Sequence, residues 1–139
     1  MSESQVFSDQ RGRLPKKESA LLANRILKKE KKRLPVNIIF SNDNYLHELN
    51  SRFRNKNRPT DVLAFPADPD EEILGEIYIS VETARRQARD YRVTLKKEIL
   101  RLVAHGTLHL CGYDHQDSGE ATRMRNMEDK HISGFLNNG

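Results

Sequence analysis

Cysteine is almost missing from this 139-residue chain: Cys111 is the only one, and tryptophan is absent altogether. A lone thiol builds no disulfide framework, so stability must come from a packed core, and a reducing cytoplasm is the simplest setting. Long apolar runs are also missing, and none approaches the ~20 residues of a membrane-spanning helix. The opening stretch MSESQVFSDQRGRLPKK has no apolar segment of the kind a secretory signal carries. There is no internal repeat and no low-complexity tract. Together these absences lead to the expectation of one cytoplasmic domain over residues 1–139, with no membrane partner and enough chain to bury its own core.

Charge, by contrast, is plentiful and uneven. Between Gln10 and Arg33 ten Lys and Arg face only two acids, Glu18 and Glu30. A second basic cluster is Arg52, Arg54, Lys56 and Arg58, and a third is Arg85, Arg86, Arg89 and Arg92. Acid gathers at Asp68, Asp70, Glu71 and Glu72. Basic stretches of this kind suit a polyanion such as RNA. Taken alone, they suit solvated helix faces equally well.

The pattern predicts an α+β domain: a mixed sheet of a few strands covered by several helices. Pro15 suits the first turn of a helix that carries Leu22, Ala23, Ile26 and Leu27 on one face. Val36–Phe40 reads as a strand, and Ser41 or Asn42 can cap the helix that follows, with Tyr45, Leu46, Leu49 and Phe53 as its apolar stripe. Asp61–Phe65 and Glu76–Val81 read as two further strands, able to pair as a hairpin with a long connection. Ser80 and Thr94 are the caps of the next two helices, Gly112 ends the second, and a last helix covers Glu120–Phe135.

The chemistry gathers in HGTLHLCGYDH, His105 to His115. His105 and His109 are four apart, which on a helix places both rings on one face about 6 Å apart along the axis. Gly112 lets the chain turn back, so that His115 can supply a third nitrogen. Three protein ligands with an open fourth position are the pattern of a catalytic zinc site at the end of a helix, and one zinc ion is the expected cofactor. Such an ion lowers the pKa of its water to about 7. Cys111 lies about 160° around the helix from His109, which sets it apart from the ligands as a small buried thiol. Asp114, Asp117 and Glu120 are candidates to orient the ligating rings. Nothing singles out His47 or His131.

The spacing H-x-x-x-H-x-x-G-x-x-H is shared with metzincin peptidases, which carry a Glu beside the first His as general base. Here that neighbour is Gly106. Peptide hydrolysis of that type has lost its proton acceptor. Phosphodiester hydrolysis needs activated water and positive charge facing the phosphate.

With HGTLHLCGYDH at 105–115, RPTDVLAFP at 58–66, LGEIYIS at 74–80, and Met124 and Glu128 beyond the last His, the sequence resembles the YbeY family of bacterial endoribonucleases, over roughly Val36 to Glu128. Ala64 departs mildly, because the family more often has Ser there, and Thr107 and Cys111 occupy variable positions. The resemblance implies a zinc-like site at His105, His109 and His115. It also implies a cytoplasmic role in ribosomal RNA maturation, particularly at the 3′ end of 16S rRNA in the small subunit, and in ribosome quality control. It further implies a functional arginine, here Arg54, that contacts an RNA phosphate and stabilises developing charge.

The reading that follows is a single-strand-specific, zinc-dependent endoribonuclease with Arg54 as its catalytic residue, and with ribosomal RNA and the small ribosomal subunit as partners. Two rivals are a metzincin-like metallohydrolase or peptidase and a non-catalytic, zinc-stabilised ribosome-assembly factor. A fourth ligand from Asp114 or Asp117 would favour the latter.

Overall fold

The computed structural model describes residues 3–54, 60–113 and 118–138. Its elements are β1 (Gln5–Ser8), α1 (Lys16–Lys29), β2 (Val36–Ser41), α2 (Asp43–Arg54), β3 (Val62–Pro66), β4 (Gly75–Ser80), α3 (Val81–Tyr91), α4 (Leu95–Leu110) and α5 (Ser118–Asn138). The four strands form one mixed sheet in the order β1-β2-β4-β3. β1 and β4 run parallel to β2, and β3 runs antiparallel to β4.

Alternation along the strands divides the core in two. Ile38 and Phe40 of β2, Ile77 and Ile79 of β4 and Ala64 of β3 join Leu22, Ile26, Ile99, Leu102 and Val103 in the main core. Their chain neighbours Leu63, Phe65 and Tyr78 point through the other face of the sheet and meet Leu46 and Leu49 of α2. Each fully buried Leu or Ile contributes ~1.5–3 kcal/mol, so the main core, the larger cluster, dominates stability and holds α1 and α4 against the sheet.

The local signals act where the residue types place them. Ser80 Oγ accepts from Thr83 N–H at 3.2 Å, and Thr94 Oγ1 accepts from Lys97 N–H at 3.0 Å. Asn42 Oδ1 accepts from Tyr45 N–H at 2.9 Å, so Asn42 rather than Ser41 caps the start of α2. The hairpin expected from the second and third strands is β3–β4. It runs from Val62 to Ser80, so Val81 begins α3 instead of ending a strand. α5 extends from Ser118 to Asn138, beyond both expected ends.

One strand was not expected. Gln5–Ser8 is too short to show a period, and it becomes a strand only because the edge of β2 pairs with it from Gln5↔Asn37 to Ser8↔Phe40. The stripe on α2 is narrower than its sequence predicts: Leu46 and Leu49 are buried, whereas Tyr45 and Phe53 are exposed. Both α1 and α3 end with a non-glycine residue in the left-handed region, Lys31 at φ 58° and Arg92 at φ 57°. A side chain with a Cβ takes that conformation at a cost of roughly 1–2 kcal/mol. Among the described residues no helix is long and apolar enough to cross a membrane.

Candidate functional site

Helix α4 carries two of the three histidines because of what its other side buries. Ile99, Leu102, Val103 and Gly106 lie against the sheet, with Gly106 directly over Ile77. A Cβ at 106 would sit 2.6 Å from Ile77 Cγ2. The glycine therefore lets the helix settle onto the strand and brings His105 and His109 down beside β3. At the far end Cys111 caps the helix, and Gly112 takes φ 108°, turning the chain away.

His105, Gly106 and His109 form one wall of a cleft whose other side is Val62, Leu63, Ala64 and Arg54. The cleft encloses about 50 Å³, several times the ~10–15 Å³ that one ordered water needs. Larger hollows of about 470 and 440 Å³ lie elsewhere. Converging imidazoles and a guanidinium, not volume, mark this small cleft.

Arg54 comes from the last turn of α2. Its Nη2 donates to the backbone carbonyl of Ala64 at 2.6 Å, and its guanidinium carbon lies 5.2 Å from the centre of the Phe65 ring. The carbonyl bond uses one of five guanidinium N–H donors and leaves others for a bidentate partner such as phosphate. Because the anchor is a main-chain oxygen, Ala in place of Ser at position 64 leaves it unchanged.

Behind His105 stands Glu128 of α5. Its Oε2 lies 2.6 Å from His105 Nδ1, and the residue is only 3% exposed. An ionised carboxylate accepts only, so in a neutral His105 this contact favours the tautomer with the proton on Nδ1 and the lone pair on Nε2. Glu128 Oε1 also lies 3.7 Å from Arg101 Nη1. Arg101 in turn donates twice to Glu98, through Nε at 3.1 Å and Nη2 at 2.7 Å. The Glu98 hydrogen bonds hold the Arg101 guanidinium above its ordinary value, against the opposing effect of burial. Burying a carboxylate this deeply is costly unless it is paired. The chain Glu98–Arg101–Glu128–His105 supplies that pairing from α4 and α5 alone.

The donor set fits a zinc-like ion on chemical grounds. His105 presents Nε2 as its ligating nitrogen with a carboxylate behind it, the arrangement typical of metal-bound histidine. His109 lines the same cleft one helical turn away. Among the described residues no three His, Cys, Asp or Glu side chains come together as a metal-binding group. His115, the third expected ligand, lies outside the described residues, as do Asp114 and Asp117.

Glu120, the remaining candidate to orient a ring, lines a hollow with Gly112, Tyr113, Arg123 and Met124. Among the described residues, a carboxylate that reaches His105 belongs to Glu128. α5 returns antiparallel to α4, setting Met124 near Gly112 and Ile132 near Glu98, so Glu128 falls opposite His105. A signal for it existed. Glu128 interrupts the apolar stripe of Met124 and Ile132 at helical spacing, and Glu98 does the same beside Ile99 and Leu102. A charge on an apolar face is either paired or misplaced.

The remaining residues are elsewhere. Burial pushes the half-buried Cys111 thiol up to about 11, which keeps it protonated and a poor ligand. Thr107 is buried and donates to Val103 O at 2.7 Å within its own helix. His131 is buried on α5, where desolvation pulls its value down. His47 is on α2, beside a surface hollow with Asn44, Glu48, Ser51 and Arg52.

Comparisons with known proteins agree with one another. The family model described as Endoribonuclease YbeY matches residues 6–135. A Flavobacterium johnsoniae protein named Endoribonuclease YbeY is 38% identical over 110 residues, spanning 79% of this chain and 79% of that protein. A Carboxydothermus hydrogenoformans protein of the same name is 42% identical over 102 residues, spanning 72% of this chain and 71% of its own. The solution structure of a Thermotoga maritima protein matches with a TM-score of 0.67 at 32% identity, covering 97% of this chain and 90% of that one.

Proposed function

The chain belongs to the YbeY family, and we propose that it is a single-strand-specific, metal-dependent endoribonuclease of ribosomal RNA. The observation that carries this reading is the placement of His105 and His109 on one wall of a narrow cleft and Arg54 on the other. Family membership supports the nuclease activity. The three-histidine pattern, with His115 as its third member, supports zinc. The proposed substrate is the 3′ end of 16S rRNA, on or near the small ribosomal subunit in the cytoplasm, with ribosome quality control as the wider role. The family resemblance supports these finer assignments.

In this reading His105, His109 and His115 hold one zinc ion. When bound, the ion supplies Lewis acidity toward a phosphate oxygen and acidifies a water toward neutrality. Glu128 holds the proton on His105 Nδ1, so that the ring keeps a single tautomer and a fixed direction. Arg54, anchored to Ala64, offers its remaining N–H donors to the non-bridging oxygens of the phosphate as charge builds on phosphorus. Val62 and Leu63 give the cleft an apolar side that excludes bulk water and strengthens that interaction. A strand held in a duplex could not bend its backbone into a cleft this small, which is why single strands are proposed.

Gly106 counts against the peptidase alternative. In the related spacing a Glu occupies that position, and here even a Cβ would press on Ile77. The Glu of that spacing is missing at 106, and the packing against Ile77 leaves no room for one there.

The test uses metal-loaded wild type, Arg54→Ala and His109→Ala with ribosomal RNA fragments and a generic peptide. RNA cleavage abolished by chelation, by Arg54→Ala and by His109→Ala is the expected result. Full cleavage by His109→Ala would identify a contaminating nuclease and overturn the proposal. Peptide hydrolysis without RNA cleavage would restore the peptidase reading.

A further inference from the structure

A second feature lies outside the catalytic cleft. Where α1 passes into β2, Leu27, Leu34 and Pro35 floor a hollow of about 440 Å³, and Lys28, Lys31, Lys32 and Arg33 surround it, with Glu3 and Asn24 also on its lining. That volume lies within the ~300–1,000 Å³ of small-molecule sites. Among the described residues none of the four cations takes part in an ion pair. The nearby acid, Glu30, accepts from Tyr113 Oη at 2.9 Å. The Asn24 oxygen accepts from Ser4 N–H at 3.0 Å.

The backbone sharpens the point. Lys31 N–H reaches Lys28 O at 3.1 Å and Lys32 N–H reaches Leu27 O at 2.8 Å, a helix ending whose left-handed residue is usually glycine. Here that residue is Lys31, at φ 58°. The fold keeps a lysine in a strained conformation beside three other cations, where a glycine would relieve the strain and remove one charge. Cations do suit a helix C-terminus, but that explains neither the apolar floor nor the strain.

We propose that this hollow seats an unpaired nucleotide of the RNA that the catalytic cleft cuts, at a fixed distance from the scissile phosphate. The inference rests on the ribonuclease reading. The base lies on Leu27, Leu34 and Pro35, and the adjoining phosphates meet Lys28, Lys31, Lys32 and Arg33. Only an unstacked base can reach such a floor, so the seat selects single strands. The hollow's rim is tied to the end of α4: Tyr113, three residues beyond Leu110, donates to Glu30 beside Lys31 at 2.9 Å.

The experiment compares wild type, Lys31→Gly, Lys31→Gly/Lys32→Ala and Arg92→Gly on labelled single-stranded RNA across a salt series. Arg92 occupies the matching left-handed ending of α3, away from the hollow, so both glycine variants relieve strain and remove one charge. Lys31→Gly is expected to raise KM several-fold with kcat unchanged, and the double variant to flatten the salt slope by about 2. Arg92→Gly should do neither. An abasic position scanned along the RNA should weaken binding at one spacing from the cut. Equal losses for Lys31→Gly and Arg92→Gly would mean a diffuse field and overturn the seat, as would an abasic scan with no preferred position. Unaltered RNA cleavage and salt slope in the double variant would sink the seat and leave the nuclease standing. Failure of wild type to bind or cleave RNA would remove both.

Discussion

His105 is braced from behind by a buried ionic chain, whereas Arg54, across the cleft, is held by one hydrogen bond and one ring contact. In the proposed reaction the two walls would therefore do different jobs. Glu128 is 3% exposed and Glu98 is 1% exposed, so the histidine wall is set within the core and cannot shift without uncovering charge. Arg54 sits on the exposed last turn of α2 and can follow a substrate. A metal ligand has to be rigid because binding geometry is narrow, and a charge-stabilising arginine has to meet a group that changes shape during reaction. The division of labour predicts that damage to one wall leaves the other intact.

The largest effect is expected at the arginine wall. Arg54→Ala should lower kcat by roughly 10²–10³-fold, the usual loss for one charge-stabilising donor, with zinc affinity and melting temperature unchanged. Lost zinc affinity in that variant would show that the walls are not separate. At the histidine wall, Glu128→Ala should weaken zinc binding by ~10–100-fold, read by competition with a chromogenic chelator. Glu128→Gln, which can still accept from His105 Nδ1, should recover part of it. Equal affinity in Glu128→Ala and wild type would end the positioning role.

Gly106→Ala probes the packing beneath the wall. Its Cβ would meet Ile77 Cγ2 at 2.6 Å, and overpacking of this kind costs roughly 1–3 kcal/mol. Denaturant unfolding should show that loss, and Ile77→Val in the same chain should return some of it. No recovery would place the strain elsewhere.

The smallest effect lies outside both walls. His131 is buried on α5 with Nδ1 unbonded, and desolvation lowers its value from 6.5, aided by Lys29. The unfolded chain therefore takes up a proton first as pH falls. The contribution of the neutral ring is complete above pH 6.5 and is lost as pH drops below it through the folded value. Melting temperature should decline over that window, and His131→Leu should flatten the decline. A variant with the wild-type slope would assign the effect to other groups.

How much of this was legible in the chain varies by element. α4 was, because Thr94, the apolar run and Gly112 each act locally. β1 was not, since four residues carry no period and pairing with β2 is what makes them a strand. His105 and His109 were legible as a pair through helical spacing, and Arg54 only through resemblance. Glu128 was visible as a matching residue but not as the partner of His105, because 23 residues separate them. Asp114 and Asp117, nearer in sequence, lie outside the described residues, and it is the antiparallel return of α5 that brings Glu128 to His105.

By itself, the sequence determined which residue types sit at one-turn spacing, where most of the helices start and stop, and how unevenly the basic residues are spread. These follow from local geometry and composition, which need no fold. Tertiary structure alone decided that Arg54 faces the histidines, that Glu128 braces one of them, and that Gly106 packs directly on Ile77. Each of those is a contact between distant segments, set by how α2, α4 and α5 pack on one sheet.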